Sequence, residues 1–298
     1  MDRSPVLNRK TCIGYKTEEK TVIRGYDIGE LAEKGYGFSD ALFVLFQGRI
    51  PTENEKKMLE YENAEFLEHS MSPSAASAIC VQSGRPMLPA AVAAGVMTFG
   101  GAHGPGAAHS YLLVNILKRA QEEGKSLDEM AKIIVDEHIE AGHPIMGIHQ
   151  PQHINGDPRA IPTINKAKEL GTYGLYQELQ EELLKHFNAR RAEEGKEPLY
   201  LNMIGAGNSS LLDLGFSGLA GWIIGVLARG FSCSCHAIEA LKKKRAWSAS
   251  VKEPMVQMLD LSMIEYEGRP DRVVPMQEER EVYAEEELRN GEWEKWNL

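Results

Sequence analysis

Cysteine is scarce. Four cysteines in 298 residues, Cys12, Cys80, Cys233 and Cys235, are too few and too scattered for a disulfide framework, so they read as reduced thiols. Positive charge is in deficit as well: 33 Lys and Arg stand against 43 Asp and Glu, a net charge of −10. A nucleic-acid binder would normally present a basic surplus, so no nucleic-acid partner is expected. Long apolar runs are missing too. The longest uncharged apolar stretch, Leu214–Ala228, falls short of the roughly 18–20 residues of a membrane span. It carries four glycines and reads as a buried helix. The N-terminal residues hold no apolar core of signal-peptide length. A soluble, cytoplasmic metabolic protein with no membrane partner is the expectation.

Several familiar chemistries are absent in the same way. There is no HExxH and no CxxC. His149 and His153 have i, i+4 spacing, but Pro151 between them disfavours the helix that would align two metal-binding rings. No metal site is expected. Gly101, Gly104 and Gly106 do not give the dinucleotide-binding spacing, and no GxSxG elbow occurs.

What is present is helix. Hydrophobic residues make up 43 % and charged residues 26 %, an ordinary globular balance. Strand signals are confined to Thr11–Tyr15 and Thr21–Arg24, a possible short hairpin. From Tyr26 onward apolar residues recur at helical spacing. Helices are expected at 27–34, 39–46, 73–83, 86–99, 107–122, 126–141, 163–185, 208–229, 231–245 and 251–264. Pro51–Glu55 resembles a further helix start with a capping residue, followed by Met58, Leu59 and Phe66 on one face, and the acidic segment 277–298 is amphipathic. Two stretches break the pattern, Gly100–Gly106 (GGAHGPG) and Gly142–Pro162 (GHPIMGIHQPQHINGDPRAIP). Six of the nine histidines lie in or beside them: His103, His109, His138, His143, His149 and His153. Loops held on a rigid scaffold are where chemistry concentrates. Arg159, Arg229 and Arg269 sit at element boundaries. If they converged they would suit a polycarboxylate, because each guanidinium grips a carboxylate bidentately; from residue type alone, surface ion pairs are the default.

The order of these pieces resembles the citrate synthase family, above all its short citryl-CoA lyase-like members, over roughly Ile23 to Pro275. Ile23–Ala32 (IRGYDIGELA) is similar to the family's RGY-I-ELA segment, and Phe43–Thr52 (FVLFQGRIPT) to its LLxGxLPT. Glu68–Ser74 (EHSMSPS) parallels DHxxNAS, and Ala102–Ala107 (AHGPGA) parallels LHGGAN. Ile145–Ala160 (IMGIHQPQHINGDPRA) shares the length and both ends of IMGFGHRVYKNYDPRA. Ala228-Arg229 and Arg269-Pro270 fall where the family carries its later substrate arginines.

The resemblance implies an all-α, citrate synthase-like multi-helix homodimer. A large domain (1–108 and 216–298) would carry a smaller one (109–215) that closes over the substrates. Family chemistry makes or breaks a carbon–carbon bond between an acyl-CoA and an oxo acid. His103 then matches the enol-stabilising histidine and His69 a substrate-binding one. Arg159, Arg229 and Arg269 match the carboxylate-binding arginines, the last reaching across the dimer. Two positions depart from the pattern. Gln150 stands where the family has its second catalytic histidine, with His149 and His153 close by as substitutes. Ile204, in Leu199–Gly205 (LYLNMIG), stands where the family has its catalytic aspartate. Basic residues that help hold CoA phosphates are replaced by Pro151 and Ile154.

The expected activity is therefore citryl-CoA lyase-like cleavage of a hydroxy-polycarboxylate thioester to an acyl-CoA and an oxo acid. The CoA thioester would be substrate, with no permanently bound cofactor. Two alternatives stay open: cleavage or hydrolysis of a CoA-free oxo or hydroxy acid, and a non-catalytic carboxylate-binding homologue.

Overall fold

The computed structural model describes residues 10–150, 153, 155–242, 272 and 275–291. Contacts divide the chain into two compact units, 1–244 and 245–298. The described part of the second is a 3-10 turn at Gln277–Glu279 followed by a helix, Arg280–Asn290. The helix expected at 251–264 and Arg269 lie outside the described residues.

The first unit opens with a small antiparallel sheet, β1 (Gly14–Lys16), β2 (Thr21–Ile23) and β3 (Tyr26–Asp27), paired in that order. The hairpin is therefore present and gains a third strand, because Arg24-Gly25 turns the chain with positive φ at both residues. The other regular elements among the described residues of this unit are helices: α1 (Ile28–Glu33), α2 (Phe38–Gln47), α3 (Glu53–Phe66), α4 (Pro73–Ser83), α5 (Leu88–Met97), α6 (Gly106–Glu123), α7 (Leu127–Glu140), α8 (Ala160–Leu170), α9 (Leu175–Glu193), α10 (Met203–Asp213) and α11 (Gly218–Lys242).

Local sequence sets most of these ends. Thr52 accepts from the Glu55 amide while Glu55 reaches back to the Thr52 amide, and Ser126 with Glu129 repeats the arrangement at α7. Each such box satisfies two otherwise orphaned N–H groups. Two expectations are corrected. The single helix expected at 163–185 is two, since Gly171 adopts φ +70° as a left-handed cap and ends α8. The helices expected at 208–229 and 231–245 are instead divided earlier, at Gly215 (φ +86°), and α11 then runs 25 residues without a break. By length and composition alone α11 could cross a membrane, a test that core helices also pass; one side of it packs on α3, α4, α5 and α6.

Two apolar clusters form the core. One joins Leu113, Ile116, Met130, Val135, Leu179 and Leu183 of α6, α7 and α9. The other joins Phe43, Met58, Leu59, Leu211, Phe216 and Ile224 around α2, α3 and α11. α10 contributes to both, with Ala206 and Leu212 in the first and Leu211 in the second. Its N-terminal turn is left at the edge of a cleft.

Candidate functional site

The cleft encloses about 640 Å³, within the usual range for a small-molecule site. Its walls come from the α3–α4 turn, the 99–105 loop, the 144–150 loop, Asp157 and Arg159, the start of α10, and α11. Of the sequence candidates, His69, His103, His149, Gln150, Arg159 and Arg229 all line it. His153 does not, but its ring centroid is 6.2 Å from that of His69.

The 99–105 loop is built to present His103. Gly104 has φ +71°, and a Cβ there would sit 2.6 Å from the Phe99 ring, so only glycine fits. The Gly100 amide donates to the His103 carbonyl (2.9 Å) and closes the loop. Trp222 Nε1 of α11 donates to the Gly104 carbonyl (2.9 Å) and fixes it to the helix. His103 rests on Phe99, ring centroids 4.5 Å apart, and its Nε2 is 3.1 Å from Ser74 Oγ. Ser74 Oγ is itself 3.0 Å from Ser72 Oγ. Burial first, and the Arg229 charge second, lower the His103 pKa below its ordinary value. The ring is thus neutral at pH 7, able to donate from one nitrogen and accept at the other.

The two arginines converge. Arg229, only 6 % exposed, donates from Nε to the Phe66 carbonyl (2.8 Å), and Arg159 Nη1 donates to the Glu65 carbonyl (3.3 Å). These carbonyls end α3, where the helix leaves acceptors unpaired and carries partial negative charge. The helix end therefore holds two like charges together. Asp157 answers only one of them: Oδ1 accepts from Arg159 Nε (2.9 Å) and Oδ2 from Arg159 Nη2 (2.8 Å). Asp157 Oδ2 also accepts from the Met203 amide (3.2 Å), tying the arginine to the start of α10. Burial pushes the Asp157 pKa up, but the Arg159 bonds outweigh it and hold the carboxyl below its usual range. Among the described residues no carboxylate lies within 4.0 Å of the Arg229 guanidinium. Its pKa is lowered by burial and then by Arg159. An anion placed there would gain both charges.

The opposite wall is made of backbone. Gly147 has φ +86°, and a Cβ would fall 2.8 Å from Gly205 Cα and 2.9 Å from His109 Nε2. His149, also at positive φ (+71°), donates from its amide to the Tyr200 carbonyl (2.8 Å) and accepts from Asn202 Nδ2 (2.7 Å). Its side chain is exposed at the cleft. Gln150 Nε2 donates to His69 Nε2 (3.3 Å), and Gln150 Oε1 accepts from the His153 amide (3.1 Å). The His69 pKa is lowered by burial, then by Arg159 and Arg229.

Ile204 lines the cleft on the first turn of α10. Asp157 is the one carboxylate among the described lining residues, and both its oxygens are committed to Arg159. Asp213, farther along α10, points elsewhere: it accepts from the amides of Gly174 (3.1 Å), Tyr176 (3.0 Å) and Gln177 (3.0 Å) and so caps α9. Sequence reasoning missed Asp157, Asn202, Asn208 and Trp222 as site residues. Only Asp157 carried a signal, its place two residues before Arg159.

The comparisons agree with this geometry. Residues 64–249 match the model of the citrate synthase C-terminal domain. No curated protein sequence matches the chain. Among solved structures, citryl-CoA lyase from Hydrogenobacter thermophilus superposes with a TM-score of 0.75 at 28 % identity, over 93 % of this chain and 100 % of that one. ATP citrate lyase from Methanothrix soehngenii, in complex with citrate and coenzyme A, gives 0.68 at 19 % identity, over 93 % and 43 %. Citrate synthase from Thermoplasma acidophilum, with carboxymethyl coenzyme A and oxaloacetate, gives 0.60 at 17 %, over 82 % and 60 %. The last two share the fold. With its model matched over more than half of the sequence and its helices in the same arrangement, the chain belongs to the citrate synthase family.

Proposed function

We propose that the protein is a carbon–carbon lyase that cleaves a citryl-CoA-like thioester into an acyl-CoA and an oxo acid. The observation that carries this is the polar makeup of the cleft: a buried guanidinium without a carboxylate partner among the described residues, next to a neutral, hydrogen-bonded imidazole, with no uncommitted carboxylate on the described walls. Arg229 and the outer edge of Arg159 would hold substrate carboxylates. A base removes the proton of the substrate hydroxyl. The oxygen forms the carbonyl of the oxo acid as the carbon–carbon bond breaks, and the bonding pair passes to the thioester enolate. His103 donates a hydrogen bond to that enolate oxygen, and the proton taken up by the base returns through water to the enolate carbon. His149, exposed at the cleft, serves as the base. Ile204, in place of a carboxylate, cannot deliver a proton to the enolate carbon, so that proton comes from water in the cleft.

The relatives support the substrate class. The first is a citryl-CoA lyase, and another is in complex with citrate and coenzyme A. A homodimer is part of the proposal. On α11 Leu219, Leu227, Phe231, Ile238 and Leu241 are exposed along one stripe at helical spacing, and Met87 and Met97 of the adjoining α5 region are each 82 % exposed. In such a dimer Arg269 would reach the partner's cleft, and the 109–215 region would close over it.

A second reading, a CoA-free oxo or hydroxy acid as substrate, is favoured by the described lining residues, which include no lysine. One experiment separates them. Citryl-CoA, and citrate with CoA, are incubated with the protein and acetyl-CoA and oxo-acid release followed by mass spectrometry. Thioester cleavage that falls about 10²–10³-fold in His103→Ala is expected. Turnover of CoA-free acids alone would transfer the assignment to the second reading, and binding without any turnover would end the enzyme assignment.

A further inference from the structure

α10 offers the cleft two side chains one turn apart, Ile204 and Asn208. Residues at i and i+4 share a helix face, so the polar group of this stripe lies one turn deeper than the position where the family carries its aspartate. Asn208 is 4 % exposed. Its Nδ2 is fully buried without a hydrogen-bond partner, and no other described residue bonds its amide. The amide is packed against Gly106, where a Cβ would fall 2.5 Å from Asn208 Nδ2 and 2.7 Å from Trp222 Cδ1. Glycine at 106 thus makes room for an amide and an indole directly behind the loop that carries His103. A half-turn about χ2 exchanges the nitrogen and oxygen of the amide between Gly106 and the cleft.

Burying the amide nitrogen without a partner costs free energy, which a ligand oxygen can offset when the amide turns that nitrogen to the cleft. The other amides of the cleft are already engaged, Gln150 with His69 and the His153 backbone, and Asn202 with the His149 carbonyl and the Gly205 amide. The guanidiniums of Arg159 and Arg229 suit carboxylates. A neutral amide suits a neutral oxygen.

We propose that Asn208 is a specificity-determining residue that hydrogen-bonds the keto or hydroxyl oxygen of the bound acid, the oxygen on the carbon whose bond is broken. The assignment rests on the cleft being a carboxylate site, and it adds the group that separates an oxo acid from a plain dicarboxylate. A site whose buried polar group is left unpaired by the wrong ligand discriminates more sharply than an apolar pocket does.

The test is isothermal titration of the full chain with oxaloacetate and succinate, which carry the same two carboxylates and differ by one keto oxygen. Wild type is expected to prefer oxaloacetate by roughly tenfold or more. Asn208→Leu, close in volume and apolar, is expected to bring the ratio to within about twofold of one with succinate affinity little changed. Asn208→Ala repeats the measurement should the leucine variant fail to fold by circular dichroism. A ratio unchanged in the folded variant overturns the role of Asn208 and leaves the carboxylate site standing. Binding of neither acid by wild type overturns the carboxylate site and this role with it.

Discussion

The two walls of the cleft differ in kind. The wall formed by the α3–α4 turn, the 99–105 loop and α11 carries the imidazole of His103 and the guanidinium of Arg229, each held by a hydrogen bond to another element. The wall formed by the 144–150 loop and the start of α10 carries Ile204 and three amides, Gln150, Asn202 and Asn208, besides the exposed His149. The first wall is suited to negative charge. The second presents Ile204 where the sequence resemblance puts a catalytic aspartate. The charges of the first are anchored by a helix end, while the loop of the second is held through its backbone, by the Tyr200 carbonyl and Asn202 at His149 and by close packing of Gly147 on Gly205.

The largest expected effect breaks the first wall. Arg229→Ala should weaken polycarboxylate binding roughly 100-fold or more in titration, because Arg159 is already shared with Asp157. Arg229→Lys should recover only part of this, since a point charge cannot grip a carboxylate with two parallel bonds. Equal affinities for Arg229→Ala and wild type would remove Arg229 from the site.

The second wall can be stressed with pH. His109, 0 % exposed behind Gly147, has Nε2 2.7 Å from Gln180 Oε1, and burial lowers its pKa from 6.5 to about 4. The unfolded chain takes up this proton near pH 6.5 and the native one only near 4. Stability from this residue is therefore complete above about pH 6.5 and is lost as pH falls to about 4, a change of about 3 kcal/mol. Thermal melting of wild type and His109→Gln across this window should show a shallower decline in the variant. Parallel curves would mean that His109 does not titrate this way.

Ile204→Asp sharpens the comparison by returning a carboxylate to the second wall. Condensation of acetyl-CoA with oxaloacetate should then rise by about tenfold or more, at the low end of what a general base contributes. No gain would mean that the missing carboxylate is not what separates this chain from a synthase. The smallest effect is expected from Ser74→Ala. It removes the 3.1 Å contact to His103 Nε2 and should lower kcat a few-fold with KM little changed. A KM effect alone would assign Ser74 to binding.

Within the sequence, the helices were legible wherever their caps are local. The Thr52–Glu55 and Ser126–Glu129 boxes and the Pro73 start fix α3, α7 and α4 within a residue or two of the expected ends. Gly171 was missed as a breaker because the apolar spacing continues on both sides of it, so the stop depends on a single left-handed residue. Motif order also pointed to the family, to His69, His103, Arg159 and Arg229, and to Ile204 as a departure. These are properties of composition, short-range spacing and linear order, and a sequence carries them in full.

The convergence of the site was decided by tertiary structure. Arg159 and Arg229 lie 70 positions apart, and they meet because the carbonyls that end α3 accept from both. Asp157 was a neighbour in sequence, yet its engagement with Met203 shows that it also anchors α10. Asp213 is taken out of the chemistry by three amides of α9, and Asn208 is placed in it by Gly106. A hydrogen bond or close approach between residues tens of positions apart leaves no periodic trace along the chain, so these roles became determinate only when the helices packed.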